Sequence, residues 1–97
     1  MALTIVWTRR AEEGFDRIVE HLKQNWTERE IRNFIRDTYD FLELLKLNPH
    51  LLEQSHTKKH IHRGPLTRLT ILTYRIKPRK GIIELLNIRS SRQKPLQ

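Results

Sequence analysis

The sequence predicts an α+β domain of two layers: an N-terminal strand and a helical hairpin packed on a largely antiparallel sheet, in the order β-α-α-β-β-β. Two observations predict it. Apolar residues recur with a helical period as far as Leu47 and with a strand period after Pro49. Charge changes at the same boundary: residues 1–48 carry 8 Lys and Arg against 9 Asp and Glu, whereas residues 49–97 carry 11 against 2, Glu53 and Glu84. The net charge of +8 therefore sits in the strand-forming half. A basic sheet backed by helices suits a phosphate-rich or acidic partner.

Leu3, Ile5 and Trp7 alternate with Thr4 and Val6, which predicts a short first strand. Thr8 offers an N-cap hydroxyl, and Glu12, Glu13 and Asp16 put negative charge near the start of a helix. Its apolar stripe is Ala11, Phe15, Ile18, Val19 and Leu22, and it fades near Gln24 and Asn25. Thr27 followed by Glu30 predicts a capping box for the second helix, with Trp26 and Ile31 placed as a hydrophobic staple. Ile31, Phe34, Ile35, Phe41, Leu42 and Leu45 carry the stripe to Leu47, and Asn48-Pro49 ends it because proline disfavours α geometry in the residue before it. The two helices are expected to be antiparallel, joined by about two residues.

Beyond Pro49, residues 58–63 read as an extended segment ending at a Gly64-Pro65 turn. Leu66 to Ile76 is the strongest strand, alternating Leu69, Ile71 and Thr73 against Thr70, Leu72, Tyr74 and Ile76. Lys77-Pro78-Arg79-Lys80-Gly81 makes a basic hairpin loop, and Ile82 to Arg89 forms a partner strand too apolar to be an edge exposed on both faces.

A chain of 97 residues with 37% hydrophobic content is read as a single domain over 1–97 with room for about two layers. The absence of cysteine excludes a disulfide framework and a thiolate metal site. No apolar run reaches membrane-spanning length, and the N-terminus lacks the basic and apolar segments of a signal peptide, so a cytoplasmic protein is expected. The histidines lack metal-ligand spacing; no metal and no cofactor are expected.

Four pieces, in order along the chain, carry a resemblance to a known family: Ile5-Val6-Trp7-Thr8-x-x-Ala11, Leu44-x-x-Leu47-x-Pro49, Leu72-x-Tyr74-Arg75-Ile76, and the basic ending Asn87-Ile88-Arg89-Ser90-Ser91-Arg92-Gln93-Lys94-Pro95. Taken with size, basicity and element order, they make the chain resemble the RelE/ParE superfamily of toxins from bacterial type II toxin-antitoxin systems. The resemblance implies a small toxin neutralised by a cognate antitoxin in a hetero-oligomer, the acidic or amphipathic segment of the antitoxin wrapping the basic half. It implies one of two targets. RelE-like members cleave mRNA on the ribosome, with basic residues on the sheet holding phosphate and a Tyr or His near the C-terminus; ParE-like members lack that set and inhibit DNA gyrase.

Metal-free RNA cleavage needs a base for the 2′-hydroxyl, a cation beside the phosphate and an acid for the leaving oxygen. His60 and His62 are two apart, so on a strand they would share one face, and with Arg63, Arg89 and Arg92 they are the candidate catalytic set. Lys58, Lys59, Arg63, Arg75, Arg89 and Arg92 are the candidates for contact with a target or an antitoxin. The blander reading makes His60 and His62 solvated or antitoxin-facing strand residues, the lysines solubilising loop charge, Tyr74 sheet packing, and Glu84 a cross-strand partner of Arg75 or Arg68. After Arg92 only Gln93, Lys94, Pro95, Leu96 and Gln97 follow, and the family's C-terminal Tyr or His is missing. The sequence therefore leans to a ParE-like inhibitor of gyrase without catalysis of its own. The alternatives are a ribosome-dependent mRNA endoribonuclease and a basic nucleic-acid-binding module, the latter disfavoured because Tyr74 is the only aromatic residue after Pro49 available to stack bases.

Overall fold

The computed structural model describes residues 3–91. The elements are β1 (Thr4–Trp7), α1 (Arg9–Leu22), α2 (Glu28–Leu47), β2 (Ile61–Thr67), β3 (Thr70–Lys77) and β4 (Ile82–Ser90), the expected order. They build one four-stranded sheet, β1-β4-β3-β2, in which β1 runs parallel to β4 and the other two pairings are antiparallel. A strand followed by two helices returns beside the last strand. The sheet is thus mixed, and the apolar β4 is central, paired on both edges.

Both helix starts form as their side chains dictate. Thr8 accepts from Ala11 N at 3.2 Å, and its hydroxyl donates to Leu85 O at 2.6 Å, so the cap of α1 also ties the helix to β4. Thr27 accepts from Glu30 N at 3.2 Å while the Glu30 carboxylate accepts from Thr27 N at 3.1 Å, a complete capping box. α1 packs so closely on β4 that a Cβ at Gly14 would collide with the carbonyl oxygen of Ile88. Between the helices lie residues 23–27, longer than the two residues expected, because α1 ends at Leu22. Beyond the sheet the helices hold each other through Phe15 stacked on Phe34 at 5.9 Å, with Trp26 edge-on to Phe34 at 6.4 Å.

The core lies between this hairpin and one face of the sheet. Ala11, Leu45, Leu72, Tyr74, Ile83 and Leu85 are fully buried, each large aliphatic side chain contributing about 1.5–3 kcal/mol of apolar burial. In β3 the pleat is read cleanly, with Thr70, Leu72, Tyr74 and Ile76 inward. A bulge between Thr73 and Tyr74 takes up one extra residue of β4, which keeps Leu85 and Ile88 both on the core side.

Three expectations after Pro49 need correction. The strand expected over Leu66 to Ile76 is two: Leu66 and Thr67 end β2, Arg68 and Leu69 turn, and β3 begins at Thr70, because the chain reverses there to pair β3 with β2. Gly64-Pro65 is not a turn; both residues lie inside β2, opposite Leu72 and Ile71, and the reversal falls at Arg68-Leu69. The physical reason is position. β2 is an edge strand, where proline's missing N–H costs no ladder bond, and Gly64 leaves room for Leu52, whose Cδ2 would lie 3.0 Å from an added Cβ. Nor is 58–63 one extended segment: Lys58, Lys59 and His60 form a turn, and His60 has φ of 67°, so β2 begins only at Ile61.

Candidate functional site

The strand registers sort the candidate residues by face. Arg63 of β2 is paired with Thr73 of β3, and Thr73 with Asn87 of β4; Arg75 is paired with Glu84, and Ile71 with Arg89. Paired residues share a face, so Arg63, Arg75 and Arg89 all stand on the outer side, away from the helices. Arg63 and Arg75 are diagonal neighbours, roughly 7–8 Å apart at the backbone. Glu84 is the only carboxylate of the strands. It receives Arg75 at 3.8 Å and Lys77 at 3.5 Å, which identifies Arg75 and Lys77, not Arg68, as its partners. Two cations on one carboxylate leave the face with a net positive field. Arg89 is half-buried and donates to Ser90 O at 3.4 Å. Lys58 and Lys59 are exposed in the loop that leads into β2. Arg92 lies outside the described residues, as do Gln93, Lys94, Pro95, Leu96 and Gln97.

The histidine pair does not assemble. His60 is exposed in the turn with left-handed backbone, whereas His62, inside β2, points to the core at 2% exposure. The two-residue spacing puts side chains on one face only when both residues are in the strand, and His60 is not. His62 is also neither solvated nor available to a partner. Its ring stacks on Tyr74 at 5.1 Å with planes 7° apart, and His50 meets it edge-on at 5.3 Å. His62 Nδ1 lies 2.7 Å from Leu52 O; since a carbonyl only accepts, Nδ1 carries the proton and donates.

Tyr74 completes this cluster. Its hydroxyl donates to Pro49 O at 2.6 Å and accepts from Leu52 N at 3.4 Å. Burial raises its pKa above the ordinary tyrosine value, opposed in part by the hydrogen bond from Leu52. His62 and Tyr74 thus fasten the segment that leaves α2 to the underside of the sheet. They are structural polar groups with their partners supplied, and offer no acid or base to a molecule on the outer face.

At one end of the sheet, the loop 53–57 and the β2–β3 hairpin enclose an open groove lined by Arg63, Arg68, Thr57, Pro65, Thr67 and Ser91. Arg68 is the residue that sequence reading did not place in a site. Its signal was a basic side chain in a Thr-rich stretch, which becomes a turn only once Gly64-Pro65 is recognised as strand. Among the described residues no group of three or more His, Asp or Glu is arranged to hold a metal ion, and no helix is long and apolar enough to cross a membrane.

The family model described as the ParE toxin of type II toxin-antitoxin system, parDE, matches residues 5–95. The chain belongs to the ParE toxin family. The ParE fold is shared with the chromosomal ParDE toxin-antitoxin system from P. aeruginosa, at a TM-score of 0.74 and 18% identity, over 92% of this chain and 96% of that one. It is shared more distantly with the toxin-antitoxin complex RelBE2 from Mycobacterium tuberculosis, at a TM-score of 0.62 and 13% identity, over 93% and 99%. No curated protein matches the chain in sequence. The superfamily resemblance of the four sequence pieces and the expected α+β architecture both hold.

Proposed function

We propose that this ParE-family toxin is neutralised by a cognate antitoxin and, when released, arrests growth through DNA gyrase by binding alone. The observation that carries the reading is the division of the sheet. Arg63, Arg75 and Arg89 stand on the outer face, and the histidine that could have served as their acid or base, His62, is in the core. Cleavage of RNA without a metal needs a proton acceptor and donor within hydrogen-bond reach of the phosphate; on the outer face of the described strands no His or Tyr stands, and the carboxylate there, Glu84, is held by Arg75 and Lys77. Cations in a row recognise carboxylates and phosphates and steer an acidic partner at long range, so the same face suits an antitoxin segment rich in Asp and Glu. Lys58, Lys59 and Arg92 would extend that contact. A protein of this kind acts in the cytoplasm, where gyrase is found.

The test combines brief expression in growing cells with a supercoiling assay on purified gyrase. Expected are growth arrest, loss of supercoiling activity, and no new mRNA 5′ ends on translating ribosomes. Codon-phased cuts that vanish in the Arg63→Ala, Arg89→Ala variant would make the protein a ribosome-dependent endoribonuclease instead. A gyrase that keeps full activity at saturating toxin would remove the gyrase target.

A further inference from the structure

The two edges of the sheet are treated differently, and the difference points to a partner. An edge strand offers unpaired N–H and C=O groups, and proteins usually blunt it with proline, bulges, charges or a covering segment. The β2 edge carries three of these devices. Glu53 O accepts from Arg63 N at 2.9 Å, and Ser55 N donates to Ile61 O at 2.7 Å, so the preceding loop covers the first half of the strand. Pro65 removes a donor from the second half, and the register is irregular between Pro65 and Thr67.

Among the described residues the β1 strand has no proline, bulge or charge, and α2 covers it at one end only. In the parallel register Thr4 N donates to Gly81 O at 3.0 Å and Thr8 N to Leu85 O at 3.2 Å, which assigns Thr4, Val6 and Thr8 to β4 and turns the N–H and C=O of Ile5 and Trp7 outward. Among the described residues only the end of the edge is occupied, where Leu3 N donates to Lys46 O of α2. The strand Thr-Ile-Val-Trp has no charge, proline or glycine. Val6 is 38% exposed on the outer face.

We propose that β1 pairs antiparallel with β1 of a second copy of this chain about a two-fold axis through Val6. This register is self-complementary. Ile5 of one copy faces Trp7 of the other, both outward-pointing, so each such pair exchanges two N–H···O bonds, and the two Val6 side chains meet across the axis in the closer, non-hydrogen-bonded pair. Four strands and four strands become one continuous eight-stranded sheet. Electrostatics favours this edge over any other. The half of the chain that contains β1 carries 8 basic against 9 acidic residues, and joining at β1 puts the strongly basic halves at opposite ends of the assembly. Joining at β2 would set the basic halves against each other. Two paired strands of four residues make a small contact, so the pairing is expected to be reversible and concentration-dependent. It is independent of the target of the toxin.

Sedimentation velocity of the isolated chain over rising concentration tests the pairing, with amide exchange read at Ile5 and Trp7. The expected result is a weight-average mass climbing from one chain toward two, with both amides slowing in step. Val6→Lys, at an exposed position, should keep its circular dichroism and melting curve and stay monomeric, because like charges would meet on the axis. Arg68→Ala at the opposite end should dimerise as the parent does. A mass of one chain at every concentration would overturn the proposal, as would a dimer that survives Val6→Lys. It would equally fall if the chain stayed monomeric and the two amides slowed only on adding an antitoxin, which would give the edge to that partner. The exchange measurement needs no substitution and decides the case even if Val6→Lys fails to fold.

Discussion

His62 and Arg63 are neighbours in the chain and strangers in the fold. One lies under the sheet, stacked on Tyr74 and bonded to Leu52; the other stands on the outer face with Arg75 and Arg89. The pleat alone separates them, since successive side chains of a strand point to opposite faces. On the inner face His62 and Tyr74 hold the connection from α2, and Thr70 bonds Thr67 across the β2–β3 turn. The outer face keeps its charges at the surface, with Arg75 and Lys77 sharing Glu84. A cluster of His and Arg in sequence is therefore no evidence of a shared site until the strand boundaries are known.

The contrast can be broken from the inner side first. Tyr74→Ala should cost the most, about 3–5 kcal/mol for a buried aromatic side chain, whereas Tyr74→Phe keeps the packing and loses only the bonds to Pro49 and Leu52, about 1–2 kcal/mol. Urea unfolding of the two variants separates packing from hydrogen bonding; a Tyr74→Phe variant as stable as the parent would mean the bonds to Pro49 and Leu52 contribute nothing. Gly14→Ala pushes a methyl into the carbonyl of Ile88 and should lose about 1–3 kcal/mol by overpacking. Unchanged stability there would show that α1 can lift from β4 freely.

A pH scan sharpens the same comparison. The pKa of Tyr74 is raised in the folded protein, so the native state holds a proton that the unfolded chain releases near pH 10. Its contribution is fully present below that value and is lost as pH rises toward and through the folded value. Thermal melts should accordingly fall more steeply above about pH 10 in the parent than in Tyr74→Phe. On the outer face the expected effect on stability is the smallest: Arg63→Ala and Arg75→Ala should each stay within about 0.5 kcal/mol, as for exposed side chains with weak ion pairs. The same variants should weaken binding to the antitoxin at low salt. Large destabilisation with intact antitoxin binding would reverse the roles of the two faces.

Helix positions were legible in the sequence because each helix announces its own start. Thr8, Thr27 and Glu30 act within one turn of chain, and Asn48-Pro49 stops α2 by local sterics. Strand identity in β3 was equally local, carried by β-branched residues at alternate positions. What could not be read was anything depending on a neighbour far away in sequence. Gly64-Pro65 looks like a turn until β2 is known to be an edge strand with Leu52 beneath it. The parallel pairing of β1 with β4 joins residues on either side of the whole helical hairpin, and no local pattern reports it. The site suffered from the same cause. Arg63, Arg75 and Arg89 were singled out by charge alone, but the supposed histidine pair depended on where β2 begins, a boundary set by the left-handed turn at His60.

The parallel placement of β1 beside β4 also governs how the protein comes into being. As the chain is synthesised, Thr4–Trp7 is made before the helical hairpin and the β2–β3 hairpin, and Ile82–Leu85, its ladder partner, after both. The nascent chain can form its helices and the β2–β3 hairpin early, since those contacts are local, while the central strand that joins both layers is still missing. Thr8 has no Leu85 carbonyl to hold, Gly14 has no Ile88 to rest on, and the arginine face lacks its third strand. A chain that stops before β4 is thus not a weaker version of this fold but an unassembled one.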